Sequence, residues 1–291
     1  MAEALSVAVK RGEIVESVHQ VHAVAVEDGH VVAAAGDVTL LTSLRSAAKP
    51  IQAQPLARVR EDLDDADYAI AAASHFGTEQ HVEAVRALLG KTGGSEQELE
   101  CGLQDGRPPE PIYHNCSGKH AAMIAVCRAR GWEVQDYRLP EHPLQQELLQ
   151  EVAGVAEVDA ESIPTGTDGC GVVCFALPLE RAAHAFARVA QTRIAAAMRA
   201  HPVLVGGEGA TDTELMRSLP GWIAKGGAEG LICAASPEGL GLALKAADGN
   251  SRALRPALAA FCARLGLDLP AFAEVPTENS RGEGVGAITM L

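Results

Sequence analysis

The sequence predicts an α+β fold: an antiparallel sheet drawn from both ends of the chain, flanked by helices, with a helical region filling the middle. Short Val/Ala-rich runs near the two ends are joined by tight-turn residues, which pairs neighbouring strands antiparallel. Between about residues 50 and 200 the apolar residues recur at helical spacing instead. With 47% hydrophobic residues in a chain of 291, a sizeable core is available, and with only 3% aromatic residues small aliphatic side chains must fill it.

The elements follow in order. Residues 21–26 and 31–35 are strands around Glu27-Asp28-Gly29-His30, an Asp-Gly hairpin signal. Residues 50–63 read as a helix after Ser46-x-x-Lys49. Residues 78–89 have an acidic start and place Val82, Val85, Leu88 and Leu89 on one helix face. Residues 120–129 form another helix, and 143–155 opens with Pro143 in its first turn and carries Leu144, Leu148, Leu149 and Val152. Residues 179–200 form a long alanine-rich helix. The glycine-rich run 206–209 follows no clear strand and matches no phosphate-loop pattern, so it reads as a flexible loop. Residues 230–235 and 240–246 are strands flanking Ser236-Pro237-Glu238-Gly239. A helix over 251–265 and a last strand over 285–291 complete a single domain spanning 1–291, with a helical subregion at about 50–200. No internal repeat and no low-complexity linker interrupt it.

The formal net charge of -14 argues against nucleic acid and anionic membranes as partners. Seven cysteines without framework spacing point to a reducing compartment. The first residues lack a basic region followed by an apolar stretch, and no apolar run is long enough to span a bilayer. A soluble, cytoplasmic protein is expected.

Five short stretches put nucleophiles or bases beside small residues: Arg45-Ser46-Ala47-Ala48-Lys49-Pro50, Ser74-His75-Phe76-Gly77, His114-Asn115-Cys116-Ser117-Gly118-Lys119-His120, Asp168-Gly169-Cys170-Gly171 and Lys225-Gly226-Gly227. A serine hydroxyl needs a base, and a lysine three residues on at a helix start can reach it if its pKa is lowered. Taken alone, Ser46-x-x-Lys49 reads as a helix cap and a surface charge. The order along the chain adds weight: Ser-x-x-Lys, then a Ser-centred tripeptide, then a Lys-Gly strand is the order in penicillin-recognising enzymes. Ser74 is either a second hydroxyl of the site or the N-cap of the next helix. Cys116 and Cys170 with one further donor could hold a zinc, His114 and His120 being conventional donors nearby, or they are buried thiols that pack as hydrophobes. Asp168 either meets a cationic group of the site or substrate, or bonds its own turn.

Together these residues resemble the rhizobial-type, thermolabile L-asparaginases, also called the asparaginase II or class 3 type. The resemblance rests on Ser43–Gln52, on Ser74-His75-Phe76-Gly77, on His114-Asn115-Cys116-Ser117-Gly118-Lys119-His120 with Ala121-Ala122-Met123, on Asp168-Gly169-Cys170-Gly171 and on Lys225–Gly230, and it runs from about residue 7 to the C-terminus. It implies a sandwich like that of serine β-lactamases and glutaminases, and hydrolysis of L-asparagine to L-aspartate and ammonia. It implies two Ser-Lys pairs, Ser46 with Lys49 and Ser74 with Lys225, and substrate contacts from Arg45, Asp168 and His120. It also implies a zinc held by Cys116, Lys119 and Cys170, assisting binding more than hydrolysis, and a homodimer. A departure is Val172-Val173-Cys174, where a proline often follows the Gly-Cys-Gly turn. The competing readings are a glutaminase or another acyl-serine amidohydrolase on the same scaffold, and a non-catalytic zinc- or ligand-binding relative.

Overall fold

The computed structural model describes residues 3–291. Its strands are β1 (Leu5–Arg11), β2 (Ile14–Glu27), β3 (His30–Ala35), β4 (Leu41–Ser43), β5 (Thr165–Thr167), β6 (Val173–Pro178), β7 (Ile223–Gly227), β8 (Leu231–Ala235), β9 (Gly241–Ala246), β10 (Glu274–Glu278) and β11 (Gly284–Met290). Its helices are α1 (Lys49–Gln52), α2 (Gln54–Val59), α3 (Asp65–Ala71), α4 (Glu79–Thr92), α5 (Ser117–Arg130), α6 (Pro143–Ala156), α7 (Leu179–Val189), α8 (Arg193–Ala200), α9 (Pro202–Gly206), α10 (Thr211–Ser218), α11 (Leu254–Ala263) and α12 (Pro270–Ala273).

The antiparallel sheet from both chain ends is present. Its order is β10-β11-β1-β2-β9-β8-β7, and β3 also pairs with β2. β2 is long enough to serve two partners along its length: Ile14–Val21 face β1, and Ala23–Glu27 face β3. Every residue of β8 is buried and β9 is nearly so, so both faces of the sheet's centre are covered. α7 packs across β2, β8 and β9, and α11 across β1, β9 and β11. The alanine-rich composition makes the first of these contacts close. A Cβ added at Gly241 would lie 2.0 Å from the Ala183 carbonyl oxygen, so α7 rests almost directly on the β9 backbone. Small side chains therefore do the work that aromatic residues do in other cores, through many short contacts.

Three expectations change. The helix expected over 50–63 breaks at Ala53 into α1 and α2, because Pro55 has no N–H to bond the Ile51 carbonyl and its ring crowds that oxygen. The helix expected over 179–200 breaks before Thr192, whose hydroxyl caps α8 at Ala195 N. The middle of the chain is not wholly helical: β4, β6 and β5 make a small second antiparallel sheet, which carries the Asp168–Val172 turn at the end of β5. β1 and β10 are strands that the sequence reading did not anticipate.

Candidate active site

Lys49 opens α1 and is fully buried. Its Nζ lies 2.6 Å from the Ala73 carbonyl oxygen, 2.9 Å from Ser74 Oγ and 3.4 Å from the Asn115 carbonyl oxygen. Burial pulls the amine below its ordinary value; Cys116 opposes this, while the cations Lys119 and Lys225 add to it. A neutral amine has two hydrogens and one lone pair. The Ala73 and Asn115 carbonyls can only accept, so once the amine gives up a proton its two remaining hydrogens can serve them and its lone pair can face the Ser74 hydroxyl.

The pairing implied by the resemblance is therefore rearranged. Lys49 meets Ser74 rather than Ser46, although Ser46 is three residues away in the Arg45–Ala48 turn of 3-10 helix. The 3-10 turn and α1 direct the lysine stem inward beneath the turn, toward the chain leaving α3. Ser46 stays half-buried beside it. Lys225, in β7, meets neither serine: its Nζ donates to Asp212 Oδ2 at 2.6 Å and to the Gly226 carbonyl at 3.3 Å.

Ser74 is not the cap of the next helix; that position belongs to Thr78. The Ser74 loop is held by its neighbours. Ser74 N donates to the Val205 carbonyl. His75 is buried, its Nδ1 accepts from Gly77 N at 3.1 Å, and its Nε2 therefore donates to Ser117 Oγ at 2.9 Å. The Ser117 hydroxyl passes its own hydrogen to the Ile112 carbonyl at 2.8 Å. Burial, with His81 and Lys49 nearby, keeps His75 neutral. The glycine-rich run read as a flexible loop is packed against this loop, because the Phe76 ring lies 2.5 Å from where a Gly207 Cβ would stand.

The second cluster comes from the start of α5 and the Asp168–Val172 turn. Cys116 precedes α5, and Lys119 lies in its first turn. Lys119 Nζ donates to Cys170 Sγ at 3.1 Å and lies 3.8 Å from Asp168 Oδ2. The neighbouring Cys170 thiol, with Lys49 and Lys119 close by, moves the Cys116 thiol well below its ordinary value against the effect of burial, and Cys116 Sγ lies 3.2 Å from Asn115 Oδ1. Burial works against the Lys119 ammonium, but Cys170, Cys116 and Asp168 outweigh it and raise its value. Arg45 Nε donates to Asp168 Oδ1 at 2.6 Å, from a backbone held at a positive φ of 46°. Burial raises the Asp168 value, but Lys119, Arg45 and the Gly169 N–H prevail and keep it an anion. His120 is buried in the same first turn; its Nδ1 lies 2.6 Å from Tyr137 Oη, and its Nε2 has no hydrogen-bond partner.

Among the described residues no three His, Cys, Asp or Glu side chains gather as a metal-holding group. The set implied for zinc, Cys116, Lys119 and Cys170, does converge, as two sulfurs and an amine, with one sulfur already favouring the thiolate that a metal requires. Surface cavities elsewhere, such as one of about 520 Å³ lined by Trp132, Asp136 and His142, share no residue with either cluster. The groups that sequence reasoning missed are Asp212, the Asn115 carbonyl and the His75–Ser117 pair. Only Asp212 left a trace, as an acidic residue in a first helical turn.

A family model described as L-asparaginase II matches residues 7–290. No curated protein matches the chain. Among solved structures, a β-lactamase from Mycobacterium bovis is similar at 15% identity and a TM-score of 0.33, covering 79% of this chain and 88% of that one. All seven cysteines are free, and no helix among the described residues is long and apolar enough to cross a membrane.

Proposed function

The chain belongs to the L-asparaginase II family, which makes it a hydrolase, and on that premise we propose that it converts L-asparagine to L-aspartate and ammonia through an acyl-serine intermediate. The observation that carries the reading is Lys49: a fully buried amine bonded to two carbonyls, with its Nζ 2.9 Å from Ser74 Oγ and burial lowering its pKa. Ser74 Oγ attacks the side-chain amide carbon as Lys49 takes its proton. The tetrahedral oxyanion collapses, the C–N bond breaks, and the Lys49 proton goes to the departing nitrogen to give ammonia. Water then loses a proton to Lys49 and attacks the ester, releasing aspartate and restoring the serine.

Ser46, half-buried and three residues before Lys49, supplies a second hydroxyl for proton relay. Arg45 and Asp168, an ion pair on the rim, suit a zwitterion: the guanidinium for the α-carboxylate, the carboxylate for the α-ammonium. His120, one residue beyond Lys119 in α5, is assigned to the same end, its buried Nε2 having no hydrogen-bond partner. A zinc would be held by Cys116, Lys119 and Cys170, with Lys119 giving up its proton on binding. Bound there, it would supply a Lewis-acid anchor for a substrate carboxylate or amine. We further propose a cytoplasmic homodimer.

The test is ammonia release from L-asparagine and from L-glutamine by the purified chain, beside Ser74→Ala, Ser46→Ala and Lys49→Met. Asparagine-selective release that disappears in Ser74→Ala and Lys49→Met, but persists at reduced rate in Ser46→Ala, is the expected result. Loss in Ser46→Ala alone would return the attack to Ser46. Release from glutamine in preference would make the chain a glutaminase, and release from neither amide would leave a non-catalytic relative.

A further inference from the structure

Lys49 and Lys225 are both buried lysines whose charges act on one another, yet their surroundings are opposite in kind. Lys49 is bonded to neutral oxygens only. Lys225 is 1% exposed and carries a carboxylate partner, Asp212, at 2.6 Å. Asp212 is itself buried, and its Oδ2 also accepts from Gly226 N at 3.2 Å, the residue next to Lys225. One carboxylate oxygen thus holds the lysine head and its strand together. Asp212 lies in the first turn of α10, where free N–H groups and the helix dipole add to the stability of an anion. Burial raises its value, but Lys225 and the Gly226 N–H bring it below the usual carboxylate range, so it is ionised. β7 runs beside the Arg45–Ala48 turn, which carries Ser46 and leads into Lys49. The titratable groups that face Lys225 are Asp212 from α10 and Lys49 from α1.

We propose that Asp212 is a positioning residue that pins Lys225 as a permanent ammonium, and that Lys225 serves as a fixed positive charge for the anionic transition state rather than as a proton carrier. The two lysines then divide the chemistry. Lys49, bonded to neutral oxygens only, cycles its proton. Lys225, given a counter-ion, keeps its own and lowers the cost of both the oxyanion and the neutral form of Lys49. This assignment rests on the asparaginase reading and goes against the Ser74–Lys225 pair that the resemblance implies.

The experiment compares the full chain with Asp212→Asn and Asp212→Glu, following ammonia release from L-asparagine over the neutral-to-alkaline range. In Asp212→Asn, kcat/KM is expected to fall on the order of 100-fold. Its alkaline limb should move to lower pH, as the unpaired lysine sheds its proton there. Asp212→Glu should restore part of both. A base released from its counter-ion behaves in the opposite way: neutral rates at or above wild type in Asp212→Asn would overturn the proposal. An activity-independent arm uses chain labelled with ¹³C at lysine Cε, the Lys225 signal being the one missing from Lys225→Gln. In wild type that signal should lie at its charged position at neutral pH, and a neutral-amine position there would overturn the proposal even if neither Asp212 variant folds. If wild type leaves asparagine intact, the asparaginase reading fails, while the NMR signal still decides the state of Lys225.

Discussion

Gly118 joins the fold to the chemistry at a single point. It is the second residue of α5, between Cys116 and Lys119, and it faces the end of α3. A Cβ there would stand 2.1 Å from the Ile70 carbonyl oxygen and 3.0 Å from both Ile70 C and Ile70 Cγ1. An ordinary carbon–oxygen contact is roughly 3.2 Å or more, so Gly118→Ala forces the two helices apart by about 1 Å. The obstacle is backbone and cannot rotate away. Overpacking of this kind costs about 1–3 kcal/mol, which in a chain of this size lowers Tm by roughly 2–10 °C.

The displacement also has a route to the site. The Ile70 carbonyl accepts from Ala73 N, and the Ala73 carbonyl accepts from Lys49 Nζ. On the other side, α5 carries Lys119 and His120. A shift of about 1 Å at reacting groups costs on the order of 100-fold in rate, so Gly118→Ala should lose activity even at temperatures where it is folded. Gly154→Ala is the matched control. It lies exposed in α6, with nothing within 4 Å of the added carbon. Removing a helical glycine there should add about 0.5–1 kcal/mol and leave turnover alone. Thermal melts should move in opposite directions in the two variants, and ammonia release should fall only in Gly118→Ala. A Gly118→Ala protein that melts within a degree of wild type and turns over normally would show that α3 and α5 do not meet at this distance.

Three further outcomes follow from the same contacts. Activity requires Lys49 without its proton, so kcat/KM should rise with pH through the Lys49 titration; because burial depresses that group below its ordinary 10.5, the rise should be complete before an ordinary lysine would titrate. Lys49→Met should remove the limb along with about 10²–10⁴ of the rate, and a limb that survives would place the titration elsewhere. Cys116→Ser removes the group that favours the thiolate, so zinc retained after dialysis, measured by atomic absorption, should fall sharply against wild type; equal zinc in both would exclude this cysteine as a ligand. Thr192→Ala deletes the cap of α8 and the hydroxyl contact to Gln54, and chemical denaturation should register a loss of about 1 kcal/mol with turnover unchanged.

What could be read from sequence was whatever local chemistry decides. The Asp28-Gly29 and Pro237 turns mark their hairpins because few residues take up those turn geometries, and β3, β8 and β9 lie where those signals place them. β4 and β5, three residues each, exist only because β6 pairs with both, and nothing within three residues announces that. The breaks at Ala53 and Thr192 were written in the sequence as a proline and a capping threonine, but alanine-rich periodicity on either side masked them.

The same division runs through the site. Cys116 and Lys119 share a helix start, so their proximity follows from spacing. The partner of Lys49 does not follow from spacing, since Ser46 is three residues away and Ser74 is twenty-five. Nearness in sequence says which hydroxyl the lysine can reach. It does not say which way burial turns the amine, and here the carbonyls of Ala73 and Asn115 turn it away from its own helical neighbour. Asp212 was hidden for the same reason: a lone acidic residue in a helical first turn has a sufficient local explanation, and only the fold brings β7 across it. A Ser-x-x-Lys pattern therefore locates a buried lysine more securely than it locates the hydroxyl that lysine meets.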